Sequence, residues 1–495
     1  MDVVLVHKSQ PEIDTLETLL PRFGFLTEAP DEKIRILIRW GNTDGEDKGR
    51  LVVNTKDALG RATDVKRALA YWQINGVRCP KAFYTKKPLK KMAIPVTGGY
   101  LITGESFIRR YIVYVFDLQI LGLIRKIGNQ VAEIPFQNPF SPNYGPEMAL
   151  PTQHKEWEKV CIMATRAIYA VGLHFGAVDV GVDKSGKAYA LQIDPAPRLT
   201  RYAARTMANA FQAYIMRSLR KEEFARSMSV LTMGADPEFM LRNKVTKQMI
   251  LASNFFPFNG IVGCDQRSVL GQRRQHPLAE LRPAPAKEPV ELFGNLQKTM
   301  AEAIKLAPYY NVEWVAGSEP FPGYQIGGHI HFGGIRVTTD LLRALDNYLA
   351  IPVMLLENPE SARKRRKKYG FLGDYRIQPY GGFEYRALAC WLVSPRLTRA
   401  VLCMAYLVAI NYLRLNKDWL ADARLRLKFK EADKAAFYLI FQEIWEEISA
   451  LPQFPKYKEM LEPMAKMIMN KKRWRENVDI RETWNMPLPT RIYYG

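Results

Sequence analysis

The sequence predicts an α+β protein with more than one domain. Three observations carry this. Short β-branched and aromatic runs alternate with helical stretches as far as Met228. The pattern then restarts in a strand-like run, Val230–Leu241, followed by short strands between Gly/Pro loops. From Pro395 to Leu461 the periodicity is helical. A chain of 495 residues holds about three domains' worth of sequence.

The elements follow in order. Val3–Val6 and Ile34–Ile38 read as buried strands, and Asp64–Ile74 as a helix stopped by Gly76. Thr85–Lys91, with Pro88, reads as a loop. Phe107–Ile124 reads as two strands meeting near Asp117. Pro135–Pro151 carries five prolines and reads as a loop, and Thr152–Val171 as a helix. Gly176–Ile193 reads as a hairpin around Asp183–Lys187, where Ser-Gly supplies turn chemistry. A helical connector, Thr200–Met228, leads to a domain boundary near 225. Beyond it, helices are expected near 287–307 and 338–356 among the strands of 231–393. The expected division is 1–85, 86–224 and 225–495.

Composition narrows the function. Apolar residues at 47% and charged residues at 24% exclude a disordered chain, a collagen-like rod and a small disulfide scaffold. A net charge of +21 points to an acidic partner: nucleotide, nucleic acid, polyanionic peptide or membrane surface. The five cysteines form no CxxC pair, so a reducing compartment, the cytoplasm, is expected. Cys264 in GCDQ reads as a packed small residue. The start of the chain lacks the basic region of a signal peptide. The longest uncharged apolar run, 14 residues between Arg399 and Arg414, is too short to span a bilayer.

Four strand-like motifs carry the chemistry. GADPEFML puts Asp236 and Glu238 two residues apart, hence on one face of a strand. PLAELRP does so for Glu280 and Arg282, GGHIHFGG for His329 and His331, and GGFEYRAL for Glu384 and Arg386. The flanking glycines let something approach the backbone closely. Carboxylates with an imidazole suit Mg²⁺ or Mn²⁺, and arginines beside them hold phosphate. Together they describe a phosphoryl-transfer site. The run Arg363–Lys368, RKRRKK, reads as a solvated surface or flexible loop, with a phosphate- or polyanion-binding loop as the alternative.

At these residues a family resemblance enters. GADPEFML resembles the GxExEF strand of the glutamine synthetase superfamily, HIH its HxH strand and FEYRAL its ExR strand. The set, covering about 231–393, is similar to the phage-associated COOH–NH2 ligases, or amidoligases. The resemblance implies a glutamine-synthetase-like antiparallel sheet with helices. It also implies that Asp236, Glu238, Glu280, His329 and Glu384 are metal ligands, with Asp236 standing where a Glu is usual. Arg282 and Arg386 would face substrate or phosphate, and Arg376, in GDYRIQPYGG, would contact ATP phosphate.

The first half has a resemblance of its own. GLHFGAVDVGVDKSGKAYALQIDPAPRL resembles the last hairpin of ATP-grasp ligases. That implies metal-binding roles for Asp179, Gln192 and Asp194, with Gln192 and Asp194 standing where Glu and Asn are expected. ESFIRRYIVYVF resembles the hinge of that family, so Glu105 would lie near adenine and Arg125 or Lys126 near phosphate. Only about 20 residues separate Phe83 from Glu105, leaving little room for a phosphate-covering loop. On this resemblance the half would be a minimal ATP-grasp domain or a degenerate one kept for substrate binding or scaffolding.

The function expected is ATP-dependent amide or isopeptide formation through an acyl phosphate, with ATP and Mg²⁺ or Mn²⁺. The substrates would be a carboxylate and an amine: peptide, cell-wall component or amino acid. Homo-oligomeric completion of a site is a further expectation. Two alternatives stand beside it: a nucleic-acid- or polyanion-binding protein on a retired ligase fold, and a glutamate–cysteine-ligase-like small-molecule enzyme.

Overall fold

The computed structural model describes residues 2–10, 12–29, 34–47, 50–85, 93–96, 99–103, 106–127, 130–134, 155–219, 231–487 and 492–494. They fall into two compact units, Met1–Lys221 and Glu222–Gly495.

The first unit opens with a parallel sheet. Strands β1 (Val3–Val6), β2 (Gly24–Leu26), β3 (Ile36–Arg39) and β4 (Leu51–Val53) take the order β2-β1-β3-β4. Alternation gives the sheet two apolar faces. Val3 and Leu5 join Trp40, Phe116, Phe175 and Phe211 in the main core, whereas Val4 and Val6 pack with Leu37 and Val52. Helix α1 (Glu12–Leu19) follows β1, and α2 (Lys56–Thr63) and α3 (Val65–Ile74) follow β4. Asp64 caps α3 by accepting from the Lys66 and Arg67 amides, and Gly76 beyond its end has φ +67°. Strands β5 (Ala82–Thr85), β6 (Ala93–Val96) and β7 (Gly99–Thr103) form a small antiparallel sheet, and 86–91 of the expected loop lie outside the described residues.

A five-stranded antiparallel sheet completes the unit. It comprises β8 (Phe107–Phe116), β9 (Gln119–Ile127), β10 (Gln130–Ile134), β11 (Phe175–Asp183) and β12 (Ala188–Asp194), in the order β10-β9-β8-β11-β12. β8 turns into β9 through Asp117 and Leu118, both at positive φ, as a two-residue hairpin requires. Helices α4 (Lys155–Val171) and α5 (Arg201–Leu219) pack on this sheet. The proline-rich stretch 135–151 and residues 220–230 lie outside the described residues.

The second unit is built on eight strands: β13 (Thr232–Asn243), β14 (Met249–Ile250), β15 (Val262–Cys264), β16 (Leu278–Leu281), β17 (Val312–Val315), β18 (Gly328–Gly333), β19 (Tyr375–Ile377) and β20 (Phe383–Tyr385). The main path runs β15-β16-β13-β18-β20-β19, with β14 and β17 also on β13. β13 changes partner in mid-course. One edge pairs with β18 as far as Pro237 and with β17 from Met240 on. Helices α6 (Pro289–Leu306), α7 (Thr339–Leu345), α8 (Ile351–Leu356), α9 (Pro359–Arg366) and α10 (Pro395–Asn411) follow, with a π-helical turn, Asp346–Ala350, joining α7 to α8. The chain then forms α11 (Ala423–Lys430), α12 (Phe437–Ser449), α13 (Phe454–Met469) and α14 (Ile480–Thr483). The 14-residue apolar run lies mostly in α10, where twelve of seventeen residues are buried. Among the described residues no helix is long and apolar enough to cross a membrane.

The basic run departs from expectation. It ends α9 rather than forming a loop, and only four of its six cations face solvent. Arg365 and Arg366 are buried. Arg366 pairs with the buried Glu357, and Arg365 donates to backbone carbonyls. The Arg365 guanidinium is tolerated because all its nitrogens donate, and that of Arg366 because its charge is paired with Glu357.

Candidate functional site

In the second unit, register assembles the site. β13 meets β18 with Asp236 opposite His329, and meets β16 with Glu238 opposite Glu280. β18 meets β20 with His331 opposite Glu384, and β19 places Arg376 opposite Glu384. Side chains opposite one another share a face. The polar pairs of four strands therefore converge.

The distances are short. His329 Nδ1 lies 3.2 Å from Asp236 Oδ1 and 3.3 Å from Glu384 Oε1. His331 Nε2 lies 3.0 Å from the same Asp236 oxygen. Two triads, Asp236–His331–Glu384 and Asp236–Glu280–His329, each bring three ligand atoms within 4.8 Å of one another. Asp236 Oδ1, His329 Nδ1 and His331 Nε2 are buried and make no well-formed hydrogen bond. Carboxylate oxygens and imidazole nitrogens left facing one another fit a divalent cation of the Mg²⁺ or Mn²⁺ type.

Electrostatics agree. Burial, then the charge of Asp236, pushes Glu280 up to about 9. Burial works against the charged form of His329, yet the Asp236 carboxylate raises it to about 9. Burial would raise Asp236, but the His329 and His331 imidazoles hold it well below the usual carboxylate range. Protons on Glu280 and His329 thus supply the positive charge that crowded acids need.

Beside the cluster lies a cleft of about 720 Å³, lined among others by Asp236, Arg282, His331, Arg376, Tyr380 and Glu384. Arg282 pairs with Glu280, and Arg376 sits 3.4 Å from Glu384 with most of its side chain exposed. Arg386 is placed otherwise than expected. It lies behind Glu384, pairing with it and donating to Tyr369, and is not among the cleft-lining residues. Glu238 also stands apart from both triads. It is buried and accepts the Gly327 amide at 2.6 Å. The close approach that the glycines permit is partly that of His329 itself, since a Cβ at Gly327 would overlap its imidazole.

Several site residues escape the sequence reading. His331 joins the cluster, although only its face is legible from alternation. Gln378 donates to Glu384 Oε2 at 2.8 Å, and the Tyr380 hydroxyl lies 2.9 Å from His331 Nδ1. Tyr369 meets His329 Nε2 at 2.5 Å. These three come from connections and a strand end, where no periodicity marks them. Cys264 is buried, and burial pushes its thiol up to about 11, so it is a packed residue and not a nucleophile.

The first unit has a smaller cleft, about 310 Å³, lined in part by Lys126, Asp179, Gln192, Asp194 and Arg198. Asp179 lies opposite Gln192, and Asp194 opposite Ala177. Arg110 grips both Asp179 oxygens, at 3.3 and 2.5 Å, and Lys126 reaches one of them at 2.7 Å. These residues do not fit a divalent ion. Asp179 is already engaged by two cations, and Gln192 is neutral. No group of three potential ligands gathers in this unit among the described residues. Arg125 alternates with Lys126 on β9 and points to the other face, opposite Tyr111. Glu105 lies outside the described residues.

A family model described as phage phiEco32-like COOH.NH2 ligase, type 2, matches residues 233–486. A comparison with curated proteins gives no match. Among solved structures, D-alanine–D-alanine ligase from Bacillus anthracis is similar over 44% of this chain and 98% of its own, at 12% identity and a TM-score of 0.32. The macrocyclase MdnC from Microcystis aeruginosa, bound to precursor peptide MdnA, is similar over 43% of this chain and 100% of its own, at 10% identity and a TM-score of 0.29. ATP-grasp ligase PsnB, complexed with a minimal precursor, covers 43% of this chain and 99% of its own, at 12% identity and a TM-score of 0.31. With its family match covering more than half of its length, this chain belongs to the phiEco32-like COOH.NH2 ligases of type 2.

Proposed function

We propose that this protein is an ATP-dependent ligase joining a carboxylate to a primary amine, with its active site in the cleft of the eight-stranded sheet. The observation that carries this reading is the convergence of Asp236, Glu280, His329, His331 and Glu384, with unsatisfied ligand atoms, beside a cleft rimmed by Arg282 and Arg376. These five residues would hold Mg²⁺ or Mn²⁺. Such an ion, when bound, neutralises phosphate oxygens and stabilises charge on a transferred phosphoryl group.

Each remaining residue has a task. The exposed arm of Arg376 reaches for ATP phosphate, and Arg282 holds the acyl phosphate from the opposite rim. Gln378 and Arg386 orient Glu384. The substrate carboxylate takes the γ-phosphoryl group of ATP, releasing ADP. The amine nitrogen then attacks the acyl carbon. The C–N bond forms, the C–O bond to phosphate breaks, phosphate leaves with the electron pair, and the nitrogen gives up a proton. The sheet is glutamine-synthetase-like on this reading, and a peptide, a cell-wall component or an amino acid would supply the carboxylate and amine. Residues 86–224 would form an ATP-grasp-like body, with 1–85 as its lead-in. The engaged Asp179 favours a supporting role for that half.

The test is ADP release with Mg²⁺ or Mn²⁺ over mixtures of carboxylates and amines. Glu384→Gln should reduce turnover to background, and Asp179→Asn should leave it near wild type. Full turnover by Glu384→Gln would overturn the site. Turnover lost only in Asp179→Asn would move it to the first unit.

A further inference from the structure

Tyr369 lies behind the acidic cluster, and no periodicity singles it out. Its hydroxyl is 2.5 Å from His329 Nε2 and 2.8 Å from Arg386 Nη2. Three guanidinium groups surround its ring. The Cζ atoms of Arg365, Arg386 and Arg267 lie 4.9, 5.4 and 5.8 Å from the centroid. Arg365 is itself anchored. It is buried and donates to the carbonyls of Ile326, Ala387 and Leu388 at 2.7, 2.9 and 2.6 Å. Gly370, at φ +73°, leaves room for that guanidinium, which a Cβ there would overlap.

An imidazole presents one nitrogen to a cation only if its other nitrogen carries the proton. His329 Nδ1 faces Asp236 and Glu384, and His329 Nε2 faces Tyr369. Arg386 can only donate, so the Tyr369 oxygen accepts from it. The second lone pair of that oxygen can accept Nε2–H. With that proton kept when a cation displaces the one on Nδ1, the Nδ1 lone pair points into the acidic cluster.

We infer that Tyr369 is a positioning residue: its hydroxyl holds the Nε2–H tautomer and ring orientation of His329, so that Nδ1 is the metal-facing nitrogen, and links that ligand to Arg386. The inference rests on the metal-site reading above and adds to it a residue outside the cleft. It also gives the buried Arg365 a purpose, since that guanidinium clamps the ring to the chain entering β18 and leaving β20.

The experiment titrates the full chain with Mn²⁺, following free ion by electron paramagnetic resonance. Tyr369→Phe removes one oxygen and keeps the ring over Arg365. Its Mn²⁺ affinity should fall by about 10- to 100-fold, the usual effect of losing an outer partner of a ligating histidine. Its urea unfolding without metal should stay cooperative although one buried hydrogen-bond partner is lost, so the lower affinity is read on a folded chain. Equal Mn²⁺ affinity in the two proteins would overturn the inference. Wild type that binds no Mn²⁺ would overturn the metal-site reading instead. Should Tyr369→Phe not fold, ring-¹⁵N-histidine spectra of Mg²⁺-loaded wild type decide, with His329 assigned by His329→Gln. A protonated Nε2 supports the inference, and a protonated Nδ1 overturns it.

Discussion

Replacing Arg365 by methionine tests how the second unit is held together. The guanidinium donates three buried hydrogen bonds to the carbonyls of Ile326, Ala387 and Leu388, which flank the histidine and Glu384 strands. Bonds from a charged donor contribute roughly 1.5–3 kcal/mol each, so the gross loss is between about 4 and 9 kcal/mol. Methionine fills most of the space and no longer buries a charge, which offsets several kcal/mol of desolvation. The net destabilisation is about 2–5 kcal/mol. At roughly 2–4 °C per kcal/mol for a unit of this size, Tm should fall by about 4–20 °C. Differential scanning calorimetry on the whole chain reads this directly. A change below about 1 °C, on the same scale, would refute the reasoning, because the loss of three buried hydrogen bonds would then have no measurable consequence.

Other predictions address different parts of the chain. Asn54 sits at φ +62° and ties the loop after β4 to His174 and Phe175, accepting the His174 amide at 2.7 Å. Asn54→Ala should destabilise the first unit by about 2–4 kcal/mol in urea unfolding, through lost buried bonds and a strained backbone. Burial holds the Lys434 ammonium down to about 8, despite Glu357 nearby. Between about 8 and the unfolded value of 10.5 the unfolded chain binds more protons, so the lysine's contribution to stability grows as pH rises. Wild type should therefore gain on Lys434→Met from pH 8 to pH 10.5 in denaturant titrations, and a flat or shrinking gap would contradict this. Arg376→Ala should raise the KM for ATP with little change in Tm, since its arm is largely exposed.

The elements with clear periods were legible in the sequence. The hairpin around Asp117 and the helix ending before Gly76 follow from local chemistry. The i, i+2 pairs on β13, β16, β18 and β20 could be seen by alternation alone. Register could not, because it depends on which residue faces which across strands far apart in sequence. That is why His331 carried a face but no role, and why Arg386 was expected to face the cleft. Tyr369 and Tyr380 lie in connections, where spacing says nothing about direction. The basic run misled for a different reason. Composition signals solvent, yet backbone carbonyls hold Arg365 and the Glu357 carboxylate pairs with Arg366 inside the unit.

The change of partner along β13 has a mechanical consequence. Asp236 stands on the stretch laced to β18, while Glu238, two residues on, stands on the stretch laced to β16. Pro237, between them, has no amide hydrogen to lend to either ladder. The strand is therefore the shared rail of two sheet segments, jointed at its middle. A bend of β13 at Pro237 would alter the spacing of Asp236 and Glu280. An ion gripping both acids would lock the joint, so that occupancy of the cleft and stiffness of the sheet become one and the same variable.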